Sequence, residues 1–228
     1  MNTHPEVLLR VRDLRVSFGA VEAVRGLSFD VRAGQVLAVV GESGAGKSLT
    51  ARALLGMPPR RATVSGSVRL GPRELVDAPR SVRAALWGRR LSLVPQDALS
   101  ALSPVHPVAD QLAAAVRSVD GVSRGAAPAR AVAALEEVGI TADRARRRPH
   151  EFSGGMRQRA VTAMALLHSP ALVVADEPTT AQDRYLFICH DMAVVRHFRD
   201  RVAEMRDGRI LRTTARPSVP APSLPWPR

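Results

Sequence analysis

Lysine is almost absent from this chain: of 33 basic residues among 228, a single one, Lys47, is lysine and the rest are arginine. Cysteine is equally scarce. The lone Cys189 cannot form an internal disulfide, and the opening stretch Met1 to Glu6 lacks the charged and then apolar pattern of a secretion signal. Both set the expectation of a cytosolic location. No apolar run approaches the roughly 20 residues that a membrane helix needs, so the chain is not expected to cross a bilayer itself. What is present fits a globular protein: 46% hydrophobic and 24% charged residues are ordinary proportions. A chain of this size can bury about 70% of its unfolded surface, enough for one large domain or a core with a subdomain.

The formal charge of +12 and pI near 11.5 would suit nucleic acid or an anionic membrane surface. The arginines are spread along the whole chain, however, and only Arg144 to Arg148 is dense. An arginine-rich solvated surface is the first reading, and attraction to lipid headgroups or nucleic acid the second.

Hydrophobic patterning divides the sequence. Leu8 to Phe18 and Gly26 to Val31 alternate apolar and polar residues and read as strands of a half-exposed sheet. Val36 to Val40 is apolar throughout, the mark of a strand buried on both faces. A helix is expected from Ser48 to Leu55, ended by Gly56 and the Pro58-Pro59 pair. Ser65 to Leu70 and Leu91 to Val94 read as further strands, with a short helix at Ser81 to Trp87 between them. From Asp97 to about Arg148 strand signals stop, and the alanine-rich stretches Val108 to Val116 and Ala129 to Val138 read as helices of a subdomain. Ala171 to Ala175 and Tyr185 to Cys189 return to strand character. The proline-rich Pro217 to Arg228 has little to bury and is expected to be disordered.

The sole lysine lies inside Gly41-Glu42-Ser43-Gly44-Ala45-Gly46-Lys47-Ser48, which matches the phosphate-loop pattern G-x-x-x-x-G-K-[ST]. Arginine's planar fork would not fit where a compact ammonium must reach between phosphate oxygens. The glycines let the backbone turn tightly so that its N–H groups face a phosphate, and the following helix adds its positive end. Lys47 would bridge β- and γ-phosphates, and the Ser48 hydroxyl would ligate Mg²⁺. Asp176, at the end of the second buried strand, is placed to hold that Mg²⁺, and Glu177 to polarise an attacking water.

The order of Gly41 to Ser48, Gln96, Phe152-Ser153-Gly154-Gly155-Met156, Val173 to Pro178 and His190-Asp191 resembles the ATP-binding subunit of an ABC transporter. Within that family, Pro149 to Arg159 and Ala175 to Ala181 are similar to the importers for oligopeptides, dipeptides and nickel. The resemblance covers roughly residues 6 to 212, with the tail 213–228 apart, and implies an α/β fold. That fold is a P-loop NTPase core with a mainly parallel sheet, an N-terminal antiparallel β subdomain and a helical subdomain at about 97–160. It implies ATP and Mg²⁺ as cofactors, with Phe18 stacking on adenine, Gly41 to Leu49 holding the phosphates, and Gln96 contacting magnesium or water and sensing a membrane partner. Ser153, Gly154 and Gly155 are then the signature that binds the γ-phosphate of an opposing subunit, and His190 the switch residue beside the reacting water. The implied partners are membrane permease subunits, a second ATP-binding subunit, identical or related, and indirectly an extracytoplasmic solute-binding protein. The implied location is peripheral, on the cytoplasmic face of the plasma membrane. No nucleic acid is expected, because ATPases of this kind that act on DNA carry long coiled coils or zinc-binding cysteines.

The chain departs from the pattern in two places: beyond Asp207 to Leu211 the resembled subunits usually continue into a further helical extension where this chain turns proline-rich, and a segment before the switch strand is missing. In the resembled subunits a helix and a loop separate the motif Thr-Thr-Ala-Leu-Asp from the switch strand, whereas here Asp183 leads through Arg184 straight into Tyr185, and Gln182 stands in place of leucine. Parallel neighbours normally need a crossover of a dozen or more residues. Pro178 to Arg184, fully extended, reaches about 24 Å, against about 17 Å for a five-residue strand, so a parallel connection is expected to be taut. Nucleotide binding with weakened pairing and impaired hydrolysis is the resulting expectation. A vestigial or regulatory ATP-binding protein is the alternative, and a DNA-acting ATPase a more distant one.

Overall fold

Alternation near the start builds two long strands, β1 (Val7–Phe18) and β2 (Val21–Arg32), joined by a tight turn and paired antiparallel. β1 also pairs with β4 (Thr63–Leu70), which β5 (Arg73–Glu74) extends, giving a four-stranded antiparallel sheet in the order β2-β1-β4-β5. Strict alternation would put Leu9 and Val11 on the face opposite Leu14 and Val16. A bulge at Asp13, where φ is 46°, shifts the register against β2, and all four side chains are fully buried. The structure, a computed structural model, describes residues 6–121, 123, 125–176, 185–189 as backbone, and 201–214.

Among the described residues the second sheet has six strands. β3 (Val36–Val40), β6 (Leu91–Val94), β7 (Leu172–Asp176), β8 (Tyr185–Cys189), β9 (Arg201–Arg206) and β10 (Arg209–Thr214) lie in the order β10-β9-β3-β8-β7-β6. Val36 to Val39 and Leu172 to Val174 are buried without interruption, as strands sheltered on both faces must be. β3, β6, β7 and β9 run in one direction, so the ends of β3 and β7 open on the same edge. The expected α/β architecture, a phosphate-loop core beside an antiparallel N-terminal sheet and a block of helices, is the one observed.

One expectation is corrected. β8 was expected to run parallel to its neighbours at the end of a taut link, but it pairs antiparallel with both β3 and β7. Leu186 lies opposite Val39 and Asp176, while Cys189 lies opposite Val36 and Val173. The physical reason is chain length. Antiparallel neighbours can be joined by a short reversal, whereas a parallel strand must first be carried back along the sheet. The link itself, 177–184, and the expected tail lie outside the described residues.

The helices are α1 (Lys47–Leu54), α2 (Arg80–Ala84), α3 (Ala98–Ala101), α4 (Val108–Asp120), α5 (Ala126–Glu137), α6 (Ala142–Ala145) and α7 (Gly154–Leu166). A separate apolar cluster unites α3 to α7, with Leu112, Val116, Leu135 and Ile140 fully buried. Small side chains at Ala113, Ala127 and Ala131 let these helices approach closely. α7 belongs to both halves: Met156, Ala160 and Val161 pack in the helical cluster, and Ala165 packs with Val94 of β6 and Val173 of β7. Asp120, ending α4, pairs with Arg130 of α5 and with His168 Nδ1 at 3.0 Å, and Arg89 Nη2 donates to the Val119 carbonyl, tying the helices to the turn before β6. Among the described residues, no helix is long and apolar enough to cross a membrane.

The reversal of β8 is checked by backbone NMR. Interstrand proton contacts are expected between Cys189 and both Val36 and Val173, and contacts of Cys189 with Val40 and Asp176 instead would overturn the antiparallel register. For the helical cluster, Leu135→Ala is expected to lower urea stability by about 2–5 kcal/mol.

Candidate functional site

The shared edge of β3 and β7 is where the sequence motifs meet. After Val40 the chain leaves the sheet, turns through 41–46 and enters α1 at Lys47. Gly46 precedes the helix with φ at 100°, and no side chain caps the helix start. The start of α1 borders a cavity of about 200 Å³ lined by Ser43, Gly44, Gly46, Lys47, Ser48, Leu49 and Gln96. That is a setting for an anion, because a helix start carries backbone N–H groups that the helix itself does not use and the positive end of the helix dipole.

Lys47 is 4% exposed, and its Nζ donates to the carbonyls of Gly41 at 2.7 Å and Glu42 at 2.9 Å. Those bonds fold the side chain back over its own loop and hold the ammonium at the cavity. Thr50 Oγ1 and Thr50 N both donate to the Gly46 carbonyl at 2.9 Å, which fixes the first turn of α1.

Ser48 Oγ donates to Asp176 Oδ1 at 3.0 Å, joining residues 128 positions apart in sequence. Two of the three groups assigned to magnesium thus come together, and both offer the hard oxygen donors that Mg²⁺ takes. Asp176 is 9% exposed at the very end of β7. Gln96, two residues beyond β6, is exposed and borders the same cavity. Gly41, Glu42 and Ala45 are not among the residues that line it.

Other residues are placed elsewhere. Phe18, half-buried at the end of β1, pairs with Val21, the first residue of β2, and Ala23 and Val24 of that strand come up against Gly46. Ser153 caps α7 by accepting from Met156 N at 3.3 Å, and Ser153, Gly154 and Gly155 are all exposed and do not line the cavity. A methyl group on Gly154 or Gly155 would meet nothing within 4 Å. Glu177 and His190 lie outside the described residues.

The motif reading missed what lies behind the loop. Met205 of β9 and Gly208, in the turn between β9 and β10, touch it directly: a Cβ on Gly41 would come 2.1 Å from the Met205 carbonyl, and Gly208 N donates to Ala45 O at 3.1 Å. The signal that could have found this turn is the Asp207-Gly208 pair, a strong hairpin dipeptide.

Comparison with known proteins identifies the family and the fold. A family model described as ABC transporter matches residues 24–180. The oligopeptide transport ATP-binding protein OppD of Mycobacterium tuberculosis is 42% identical, with 90% of this chain and 38% of that protein covered. OppD of Bacillus subtilis is 39% identical over 90% of this chain and 65% of its own length. The dipeptide transport ATP-binding protein DppD of Bacillus subtilis is 37% identical over 94% of this chain and 72% of its own length. The chain therefore spans well under half of the mycobacterial relative. The match to that relative runs over 231 positions while taking in 90% of 228 residues, so it contains positions that this chain lacks. Among solved structures, the ATP-binding cassette MJ0796, in a dimeric post-hydrolysis state bound to ADP and Pi, superposes with a TM-score of 0.75. It is 20% identical and covers 92% of this chain and 100% of its own.

Ser48→Ala leaves the buried Asp176 carboxylate one donor short. Urea unfolding at neutral pH is expected to show a loss of about 1–3 kcal/mol, and unchanged stability would show that the bond makes no net contribution.

Proposed function

The chain belongs to the ABC transporter family, and from that premise we propose that it is an ATP-binding subunit that couples ATP binding to solute import through a membrane permease. The observation that carries the reading is the bond from Ser48 to Asp176 beside Lys47. It brings an ammonium, a hydroxyl and a carboxylate to an open helix start, the set of groups that a nucleotide's phosphates and their metal require. Ser48 and Asp176 would hold Mg²⁺, with Gln96 at the margin. When bound, the ion supplies positive charge against the phosphate oxygens.

In this reading Lys47 exchanges its carbonyl partners for phosphate oxygens, the N–H groups of Gly44 to Ser48 cradle the β-phosphate, and Phe18 stacks on adenine. Glu177 polarises water, and His190 senses the γ-phosphate. The imported solute is of the peptide or nickel type, as the names of the relatives suggest for the peptides.

Two surface features support partners. Gly154 and Gly155 have open space where a side chain would go, so nothing among the described residues demands glycine there. The demand is met if a phosphate held by a second ATP-binding subunit approaches the start of α7, as in a head-to-tail pair. Leu99 and Val105, 51% and 64% exposed, follow shortly after Gln96 and offer apolar contacts to a permease segment. In this reading the subunit sits peripherally on the cytoplasmic face of the plasma membrane, and the net charge of +12 supports that, because anionic headgroups attract basic surfaces.

A second reading is favoured by one observation. Cys189 lies opposite Val36 and Val173, at the edge of the sheet away from Gly41 and Asp176, about 13 Å along the strand. A switch strand delivering its end to the phosphates would run the other way. Binding without efficient hydrolysis, a vestigial or regulatory role, follows from that register.

ATP binding with magnesium is expected to weaken about 100-fold in Lys47→Ala, the equivalent of one or two charge-assisted hydrogen bonds. In Asp176→Asn, magnesium is expected to lose its effect on affinity. Turnover measured with a matched permease separates the two readings. A rate typical of the family and abolished by Glu177→Gln would remove the second, whereas binding without phosphate release would establish it.

A further inference from the structure

The phosphate loop is braced from behind by elements that no phosphate-binding motif includes. A Cβ on Gly41 would lie 2.1 Å from the Met205 carbonyl. One on Gly46 would lie 2.8 Å from the Ala23 carbonyl and 3.0 Å from Met205 Cε. The first and last glycines of the loop are thus seated directly on the backbones of β9 and β2. Between them Ala45, 5% exposed, accepts a hydrogen bond through its carbonyl from Gly208 N at 3.1 Å. Gly208 is itself held, its carbonyl accepting from Arg25 N at 2.7 Å. It has no room for a side chain: its φ is 76°, and a Cβ would stand 2.6 Å from the Ala23 carbonyl.

The peptide bond turns this contact into a functional one. In a trans peptide the carbonyl of one residue and the N–H of the next point in opposite directions, and the plane is rigid. With the Ala45 carbonyl drawn back onto Gly208, the Gly46 N–H is turned the opposite way, and Gly46 lines the cavity. Gly46 is also the residue that leads into α1. The Gly208 N–H therefore sets the orientation of a donor on the far side of the same peptide plane.

We infer that the turn between β9 and β10 is a positioning device for the phosphate loop, with Gly208 its positioning residue, so that docking of this hairpin and nucleotide affinity are linked. The inference rests on the reading of Gly41 to Ser48 as a nucleotide-phosphate site. Linkage is reciprocal. A docked hairpin raises affinity for the nucleotide, and bound nucleotide in turn holds the hairpin in place. Met205, 1% exposed, makes the same connection through packing, since its carbonyl faces Gly41 and its methyl faces Gly46.

The test uses the full chain and ATP with magnesium. In Gly208→Ala the new methyl must push the turn away from Ala23, and the ATP dissociation constant is expected to rise about tenfold, the equivalent of one ordinary hydrogen bond. Gly71→Ala is the control. Gly71 also has a positive φ, 56°, but a Cβ there meets nothing within 4 Å, so it carries similar backbone strain away from the loop and is expected to bind ATP as the wild type does. A merely structural Gly208 would lower the melting temperature while leaving the affinity of the folded protein unchanged, and that result overturns the inference. Should Gly208→Ala not fold, amide exchange on the wild type decides: ATP is expected to slow exchange across 205–210, and unchanged exchange there overturns the linkage. Failure of the wild type to bind ATP removes the phosphate-site reading and this inference together. Wild-type binding that Lys47→Ala abolishes and Gly208→Ala leaves intact removes the inference alone.

Discussion

The hydrogen bond between Ser48 and Asp176 is the contact on which the site depends, because it can form only if two distant strands finish at the same edge of one sheet. β3 delivers the loop and β7 delivers the carboxylate, and their shared direction is what makes a separation of 128 positions in sequence irrelevant to the geometry. Everything between them is then free to form a separate body. The helices from α3 to α7 do so around their own apolar cluster, and α7 returns the chain to the sheet through Ala165 against Val94 and Val173. The exposed start of α7 and its contact with the sheet are thus two ends of one helix, which spans the distance between the Ser153 to Gly155 turn and the strand that carries Asp176.

Much of this was legible in the sequence because the controlling forces are local. Val36 to Val40 and Leu91 to Val94 begin and end where the hydrophobic pattern places them, since short runs rich in valine and leucine are bounded by turn residues on either side. The phosphate loop was legible because its glycines, lysine and serine sit in one short window. Ser48 and Asp176 could be paired only through the order of motifs, and the structure places them in contact.

The rest depended on tertiary context. The direction of β8 is not written in Tyr185 to Cys189, because an apolar strand reads the same whichever way it runs. The short connection before it decides the matter, and the chemistry of a family motif cannot supply that information. β9 and β10 were invisible to periodicity: their arginines and threonines alternate poorly, and the pair is held by its Asp207-Gly208 turn and by the loop it touches. α3 and α6 have only four residues each, too few for any helical period to show.

Lys47 has one more consequence. A protein with 33 basic side chains normally offers reagents and enzymes many primary amines, but here the only ε-amine in the sequence is 4% exposed and bonded to two carbonyls. Acylating chemistry, whether an amine-reactive dye, an acetyltransferase or a ubiquitin ligase, finds no lysine on the surface of this chain. Its arginine-covered exterior is cationic yet without lysine amines, and the sole side-chain amine becomes reachable only when the phosphate loop releases it.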